Sequence, residues 1–307
     1  MPVFTVKKSI HIAAPVPQVY DLIRDFKSWP KWSPWLIADP DAQLTYADDG
    51  RGYTWDGPII GRGEMEITGG DPPWSIHYRL TFLKPWKAEN KTDFFLSDHG
   101  GATELTWTME GTLPWFMFWM KGMMGGWIGA DYERGLKMLK DLAETGAVPS
   151  KLEFLGKQAA GGFRYIGVRA SCATSEIGPC MERDMATLMG WLGKSGATAS
   201  GSSFSITHRW DPVKAVADYT VGIPVPAGLE VPPGFTAGEI PTCTAYVVRH
   251  TGAYRHLGNA WAAGMMHGRA KRFAADKSVP LFEIYDNDPT VTPEAGRVAR
   301  VHLPAKP

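Results

Sequence analysis

The sequence predicts a two-domain α+β protein, and three of its features lead to this prediction. Its 307 residues exceed the length at which one hydrophobic core usually stops growing, so two domains of about 150 residues are expected. The first half is a series of strand-length runs that ends in one long helical stretch. The second half contains an internal duplication. We expect domains at residues 1–147 and 152–307, joined by a short linker of turn-forming residues.

The first half begins with a strand at residues 5–12 and a short helix at 15–26, which has a proline near its first turn. Six strand-length runs follow, each bounded by Gly, Pro or Asp: residues 45–48, 53–56, 64–68, 74–82, 87–97 and 103–110. The pattern then becomes helical up to residue 144. These elements predict an antiparallel meander packed on one long terminal helix.

This order of elements resembles the START-like superfamily, also called SRPBCC, which includes polyketide cyclases. The segment WPKWSPW at residues 29–35, directly after the first helix, is similar to a motif of that family. The resemblance spans roughly residues 3–145. It implies a helix-grip fold, in which the antiparallel sheet wraps around the long C-terminal helix and encloses an apolar ligand cavity.

Tryptophan is concentrated in the first half, which holds ten of the thirteen, at positions 29, 32, 35, 55, 74, 86, 107, 115, 119 and 127. Such a density suits the lining of an apolar pocket. It suits a packed core equally well, and the sequence leaves both interpretations open. No catalytic set is visible in this half.

The second half repeats two short motifs. YIGVR at residues 165–169 is similar to AYVVR at 245–249, and FSITHRWDP at 204–212 is similar to FEIYDNDP at 282–289. The offsets are 80 and 78 residues, and a helical stretch separates the two motifs in each copy. Each copy therefore predicts a strand, a helix, a strand and a further short strand. A proline-rich bridge at 222–241 is expected to be a rigid surface loop.

Two motifs of the second copy, HTGAY at residues 250–254 and LFEIYDNDP at 281–289, resemble the GyrI-like (gyrase-inhibitor-like) family in that order. The resemblance covers roughly residues 152–304. It implies a pseudo-two-fold domain that binds small molecules, often large aromatic cations, between its two halves. In some relatives this domain is the effector-binding, multidrug-binding sensor of an AraC-type regulator. Other relatives hydrolyse cyclopropane-containing natural products.

Glu283 is the leading candidate for a site residue. Strand side chains alternate, so Glu283 shares one face with Tyr285, while Phe282 and Ile284 share the other. If the apolar pair packs under the helices, Glu283 and Tyr285 point into the cleft. The first copy has Ser205 at the position of Glu283, so the fold does not require an acid there.

Three interpretations of Glu283 stay open. Its carboxylate could neutralise a cationic ligand, with cation–π attraction of about 0.5–2 kcal/mol from each aromatic face. Desolvation could instead raise its pKa for general acid/base catalysis, with Tyr285 or Tyr254 donating to the developing charge. The third interpretation is a solvated carboxylate on a strand.

Three further aromatic side chains are predicted to bind the ligand. Tyr254 and Trp261 are seven residues apart and therefore share one face of a helix. The resemblance implies that Tyr254 lies at the mouth of the cavity. Trp210, just before the Asp-Pro pair of the first copy, is expected to wall the pocket. Core packing is the alternative for Trp261 and Trp210.

Composition excludes several classes of partner. Lys+Arg and Asp+Glu both number 32, and a net charge of zero argues against nucleic acid. Cys172, Cys180 and Cys243 have no CxxC spacing and no metal pattern, so neither a disulfide framework, a metal nor another cofactor is expected. The apolar segment 113–130 is interrupted by Lys121, so an integral membrane protein is not expected. A cytoplasmic location fits best.

The sequence thus predicts a small-molecule binding protein that senses or sequesters a hydrophobic or aromatic ligand. Its main site is a C-terminal cleft centred on Glu283, and a second apolar cavity is expected in the first domain. The alternative is a hydrolase of strained or electrophilic small molecules, with Glu283 as general acid/base. A third possibility is an interaction protein, in which the proline-rich bridge at 222–241 or the aromatic helix binds a protein partner such as gyrase; the neutral charge neither supports nor excludes it.

Overall fold

A computed structural model of the chain describes residues 3–85, 87–112, 119, 121–211 and 213–307. The chain divides into two compact units, with the boundary between Val148 and Pro149. We call them unit 1 and unit 2. Each is built on one antiparallel sheet with few helices, so the predicted α+β class is confirmed.

Unit 1 has the element order that the sequence predicts. The elements are β1 (Val3–Ile12), α1 (Val16–Arg24), β2 (Gln43–Tyr46), β3 (Gly52–Gly57), β4 (Gly61–Gly69), β5 (Ser75–Lys84), β6 (Ala88–Asp98), β7 (Thr103–Thr112) and α2 (Lys121–Thr145). The sheet order is β1-β7-β6-β5-β4-β3-β2. Strands β2 to β7 form a continuous meander, and β1 closes it by pairing with β7. The long helix α2 packs on β1.

Aromatic rings fill the interior of unit 1. The rings of Trp107 and Tyr132 of α2 stack with centroids 3.7 Å apart, and Phe94 stacks on Trp107 at 4.8 Å. Trp29 and Trp32 lie against each other at 4.6 Å. Because all five side chains are almost completely buried, these tryptophans are core residues. By contrast, the tryptophans at positions 74, 119 and 127 are exposed. Those at positions 86 and 115 fall outside the described residues.

One buried hydroxyl connects this aromatic core. Thr92 Oγ1 donates to the carbonyl oxygen of Thr108 at 2.8 Å and accepts from Trp107 Nε1 at 2.8 Å. It also lies 3.0 Å from the Tyr132 hydroxyl. Its single hydrogen is already donated to Thr108, so Tyr132 is the donor in this contact. Two strands and helix α2 are thereby held at one point.

We predict that Thr92→Val lowers the free energy of unfolding of unit 1 by about 1–3 kcal/mol, because buried donors of Trp107 and Tyr132 lose their acceptor. Thr45→Val, at an exposed position of β2, is the matched control and should change stability little. Denaturant unfolding followed by tryptophan fluorescence measures both. Equal effects of the two substitutions would contradict the importance of the Thr92 contacts.

Unit 2 contains an eight-stranded sheet and two longer helices. Its elements are β8 (Ser150–Ala160), β9 (Phe163–Ala173), α3 (Ile177–Ser195), β10 (Phe204–Asp211), β11 (Val216–Pro224), β12 (Thr236–Ile240), β13 (Cys243–Gly252), α4 (Gly258–Arg269), β14 (Leu281–Tyr285) and β15 (Val298–Pro304). The strand order is β12-β9-β11-β10-β14-β15-β13-β8. All pairings are antiparallel.

The central strands of this sheet are β10 and β14. Outward from them, the order is β11, β9, β12 on one side and β15, β13, β8 on the other. Helix α3 connects β9 to β10, and α4 connects β13 to β14. The series strand, helix, strand, strand therefore occurs twice along the chain. The pseudo-two-fold duplication in the strict sense stays a prediction.

Two strands of unit 2 differ from expectation. Strand β8 occupies residues for which the sequence pattern predicts no particular element. Strand β12 lies inside the proline-rich bridge, which is therefore not a loop throughout. Residues 236–240 contain no proline, so their N–H groups are free to pair with β9. As an edge strand, β12 tolerates the prolines on either side.

The sheet of unit 2 is strongly curved. Strands β8 and β9 stand far apart in the strand order, yet only Gly161 and Gly162 connect them. Both glycines have positive φ, at 75° and 80°, a conformation that glycine adopts readily. A Cβ on Gly161 would lie 2.1 Å from the carbonyl oxygen of Pro241. The turn thus requires glycine, and it brings the two sides of the sheet near each other.

Candidate functional site

Both helices of unit 2 lie on the same face of its sheet. Helix α3 packs on β9 and β11, and α4 packs on β13 and β15. A Cβ on Gly264 of α4 would lie 2.5 Å from Leu303 Cδ1, so the helix approaches the sheet closely at this point. The central strands β10 and β14 lie between these outer pairs. Their helix-side residues therefore face the space between α3 and α4.

One row of residues crosses the sheet on this helix side. Strand register places six side chains next to one another, in the order Val168, Val221, Ser205, Glu283, Val301 and Val248. Four of the six are valines. The two polar members, Ser205 and Glu283, lie at the centre of the row.

The alternation predicted for β14 is observed: Glu283 and Tyr285 share one face, and Phe282 and Ile284 share the other. The assumption that the apolar pair packs under the helices is wrong. Phe282 and Ile284 do not lie under the helices; they pack on the opposite face, with Tyr165 and Phe204. Glu283 and Tyr285 are on the helix side, where Trp261 of α4 reaches the carboxylate. The reason is that α4 docks through small residues such as Gly264 on β13 and β15, not over the aromatic side of β14.

The Glu283 carboxylate is buried and accepts three hydrogen bonds. The residue is 5% exposed. Its Oε1 accepts from Ser205 Oγ at 3.0 Å and from the Tyr285 hydroxyl at 2.6 Å. Its Oε2 accepts from the indole Nε1 of Trp261 at 2.5 Å. The solvated-carboxylate interpretation is therefore wrong, because the group is held inside the domain by three donors.

Burial decides the electrostatics of this carboxylate. Desolvation raises the pKa of Glu283, and the hydrogen bonds from Tyr285, Trp261 and Ser205 offset only part of that rise. All three donors are neutral groups. Within the described part of the chain, no salt bridge involves Glu283. The site thus holds a buried acid without a counter-charge.

Tyr254 completes the aromatic surroundings of Glu283. Its ring lies 5.6 Å from the Tyr285 ring, at an interplanar angle of 44°. The guanidinium of Arg297 lies 5.6 Å from the Tyr254 ring centroid and donates to the carbonyl oxygens of Thr292 and Pro289. Burial, and then the nearby charge of Glu283, raise the pKa of Tyr254 to about 12. The hydroxyl therefore stays protonated at neutral pH.

The structure brings four of the five predicted site residues together: Glu283, Tyr285, Tyr254 and Trp261. Trp210 lies apart from this group. It is on β10 five residues beyond Ser205, about 16 Å along the strand, and it is 51% exposed. At that exposure Trp210 does not plug the core either.

Sequence reasoning did not assign a role to Ser205 or Arg297. Ser205 was used only to show that the fold does not require an acid there, yet its hydroxyl donates to Glu283. The predicted duplication held a signal, since it aligns Ser205 with Glu283, and these two residues lie directly opposite each other in the antiparallel pairing of β10 and β14. No comparable sequence signal indicates Arg297, whose contact with Tyr254 depends on the loop after β14.

A neutral histidine backs the site on the other face of the sheet. His302 lies opposite Phe282 in the register, and the two rings stack at 4.5 Å with an interplanar angle of 4°. Its Nδ1 donates to the carbonyl oxygen of Arg300 at 2.9 Å. Burial lowers the pKa of His302 to about 4. The ring is therefore uncharged near neutral pH.

We predict that acidification destabilises unit 2 through His302. Between pH 6.5 and 4 the unfolded chain binds the proton and the folded chain does not, so stability falls as pH falls through this window, by about 3 kcal/mol. His302→Phe keeps a stacking ring and removes the titration, so its unfolding free energy should depend less steeply on pH. Parallel curves for both proteins, measured by denaturant unfolding, would contradict this.

A second prediction concerns the indole donor. Trp261→Phe removes one of the three hydrogen bonds that favour the charged carboxylate, so the pKa of Glu283 should rise further. Carboxyl-detected NMR titration measures it. Trp191→Phe is the matched control, because Trp191 lies on α3 and contacts Phe235. An unchanged Glu283 pKa in Trp261→Phe would show that the indole bond is absent in solution.

A metal-binding cluster and a membrane-spanning helix are both lacking among the described residues. No group of three or more His, Cys, Asp or Glu side chains is arranged to hold a metal ion within them. No helix among them combines the length and apolarity that a membrane span requires. Of the apolar segment 113–130, residues 113–118 and 120 lie outside the part that the structure describes.

Comparison with known families divides the chain in the same way. Residues 3–144 match the family described as polyketide cyclase / dehydrase and lipid transport. Residues 160–306 match the family described as GyrI-like small molecule binding domain. No curated protein matches the chain.

Several solved structures are similar to somewhat less than half of the chain. CalU16 from Micromonospora echinospora is 17% identical and covers 45% of this chain and 73% of its own, with a TM-score of 0.34. MLL2253 from Mesorhizobium loti is 14% identical over 45% and 95%, with a TM-score of 0.36. The Aha1 dimer from Colwellia psychrerythraea is 17% identical over 46% and 97%, at 0.35. At these identities and TM-scores, none of the three bears on function.

Proposed function

The chain is a fusion of a polyketide cyclase-type (SRPBCC-like) domain with a GyrI-like small-molecule-binding domain, and we propose that unit 2 binds aromatic cations beside Glu283. Such a protein senses or sequesters its ligand and releases it unchanged. The proposal concerns the ligand class and the site, since the family match itself supports small-molecule binding.

One observation carries this proposal: a buried carboxylate whose described donors are all neutral. Burying an ionised group without an opposite charge is costly. The raised pKa of Glu283 expresses that cost in unit 2. A cation placed against the carboxylate would supply the missing charge. Three of the roughly four lone-pair sites of the carboxylate are occupied, which leaves one direction for a ligand.

The aromatic surroundings favour a flat, aromatic cation. Tyr254, Tyr285 and Trp261 lie around Glu283, and aromatic faces attract a positive charge. The valines on both sides of the central polar pair add apolar surface across the sheet. A ligand that combines a delocalised charge with apolar rings matches both features.

We assign the ligand to unit 2 and not to unit 1. The second apolar cavity predicted for unit 1 has weaker support, because Trp29, Trp32, Trp107 and Tyr132 occupy much of its interior. Unit 1 does have a pocket of about 240 Å³. Its lining is mostly apolar and lies in the segment before β2 and in β2 itself: Pro30, Leu36, Ile37, Asp39, Pro40, Ala42 and Leu44.

Calorimetric titration with N-methylacridinium, a permanent aromatic cation, tests the proposal. We expect binding to wild type and a loss of about 10- to 150-fold in Glu283→Gln, the range for a charge-assisted contact. Affinity should also rise with pH until Glu283 is ionised in the free protein, because binding then needs no proton release. Acridine at pH 8, where it is neutral, should bind both proteins alike.

The Glu283→Gln comparison needs one control. A glutamine whose oxygen accepts from Ser205 and Tyr285 turns its NH₂ towards the indole N–H of Trp261, which opposes two donors. The same substitution in a Trp261→Phe background avoids that conflict. If the cation effect persists there, it arises from charge. If Trp261→Phe and the double variant Trp261→Phe/Glu283→Gln bind N-methylacridinium equally well, the cation proposal is wrong.

A hydrolase is the second candidate, and the raised pKa of Glu283 favours it. A carboxyl group with a raised pKa, bonded to the Tyr285 hydroxyl, has the features of a general acid. Incubation with a strained, cyclopropane-bearing electrophile and analysis by mass spectrometry separates the two functions. A hydrated product that Glu283→Gln does not form would support the enzyme; unchanged compound supports binding alone.

A further inference from the structure

The Tyr254 hydroxyl is buried and, among the described residues, has no hydrogen-bond partner. Buried polar atoms in native proteins are nearly always paired, so each exception requires an explanation. The hydroxyl belongs to the aromatic group around Glu283, since its ring packs near Tyr285. An unsatisfied donor therefore adjoins the proposed cation site.

The carboxylate of Glu283 does not satisfy this donor. Its Oε1 accepts from Ser205 and Tyr285, and its Oε2 accepts from Trp261. The charge of Glu283 raises the pKa of Tyr254, but the Tyr254 hydroxyl does not donate a hydrogen bond to the carboxylate. The site thus has two separate needs: a positive charge for Glu283 and an acceptor for Tyr254.

The ring of Tyr254 is held in place by its surroundings. The residue begins a short 3₁₀ turn, Tyr254–His256, between β13 and α4. The Arg297 guanidinium, fixed by two backbone carbonyls, lies over the ring. Since the ring cannot readily turn away, an incoming group must supply the acceptor.

We infer that Tyr254 selects, among the aromatic cations proposed as ligands, those that carry a hydrogen-bond acceptor beside the charged ring system. An ether oxygen, a carbonyl oxygen or an unprotonated ring nitrogen has the required chemistry. This inference rests on the proposed function and specifies its ligand class. Glu283 provides the attraction for charge, and Tyr254 distinguishes one cation from another.

The test uses N-methylacridinium and its methoxy isomers, one for each ring position, in calorimetric titrations. All carry the same charge, so the electrostatic attraction to Glu283 is the same for each probe. We expect wild type to bind at least one isomer about 5- to 30-fold more tightly than the parent, as for a hydrogen bond that satisfies a buried donor. In Tyr254→Phe the ratio of the two dissociation constants should fall to about one.

Two controls separate selection from a structural role. Tyr285→Phe also removes a hydroxyl, but one that donates to Glu283, so it should weaken parent and methoxy probes by the same factor. The thermal midpoint of ligand-free Tyr254→Phe should equal or exceed that of wild type, because no existing hydrogen bond is lost. A lower midpoint would reveal a partner for the hydroxyl and overturn the inference.

The remaining outcomes are also distinct. If wild type binds the parent cation but shows no preference for any methoxy isomer, the inference fails and the proposed function stands. A preference that survives in Tyr254→Phe likewise overturns the role of this hydroxyl. If no cation binds wild type, the proposed function fails and the inference falls with it.

Discussion

The pairing of β10 with β14 at the centre of unit 2 is the constraint on which the candidate site depends. In this register Ser205 lies opposite Glu283, and the valine pairs on both sides continue the row across the sheet. A slip of one residue would turn Glu283 to the face occupied by Phe282 and Phe204, away from Trp261. The apolar residues that bury both faces therefore also position the carboxylate.

The surroundings of Glu283 differ from those of another buried acid of unit 2, Asp184. Asp184 of α3 is also buried, at 6% exposed, and accepts from the Tyr219 hydroxyl at 2.7 Å. It additionally accepts from the guanidinium of Arg183, at 2.9 Å from Nε, so its charge is compensated within the fold. The donors to Glu283 in the described part of the chain are all neutral. Departures from such local rules are expected where function, not stability, determines the residue.

The sequence was sufficient for the order of elements in unit 1 and for the residues of β14 that share a face, because strand alternation and turn residues are local signals. It was not sufficient for which face the helices cover. That depends on contacts such as Gly264 against Leu303, which join residues 39 positions apart and have no periodic signature. For the same reason the sequence could not decide whether the tryptophans of unit 1 line a pocket or fill it. Strand β12 was missed because prolines around it masked a short proline-free stretch.

Two incomplete groups lie side by side in unit 2, and the reason they do not complete each other is geometric. A hydrogen bond from Tyr254 to Glu283 would satisfy the hydroxyl, yet the acid would still lack a counter-charge. Instead, Tyr285 donates to the carboxylate, and Tyr254 is held under Arg297. Arg297 forms an ion pair with Glu294 at 3.9 Å, donates to the carbonyls of Thr292 and Pro289 and lies over the ring of Tyr254, so it does not neutralise Glu283. A single ligand with both a positive charge and a hydrogen-bond acceptor would supply the counter-charge for Glu283 and the acceptor for Tyr254 at once. Neither of these two side chains supplies what the other lacks.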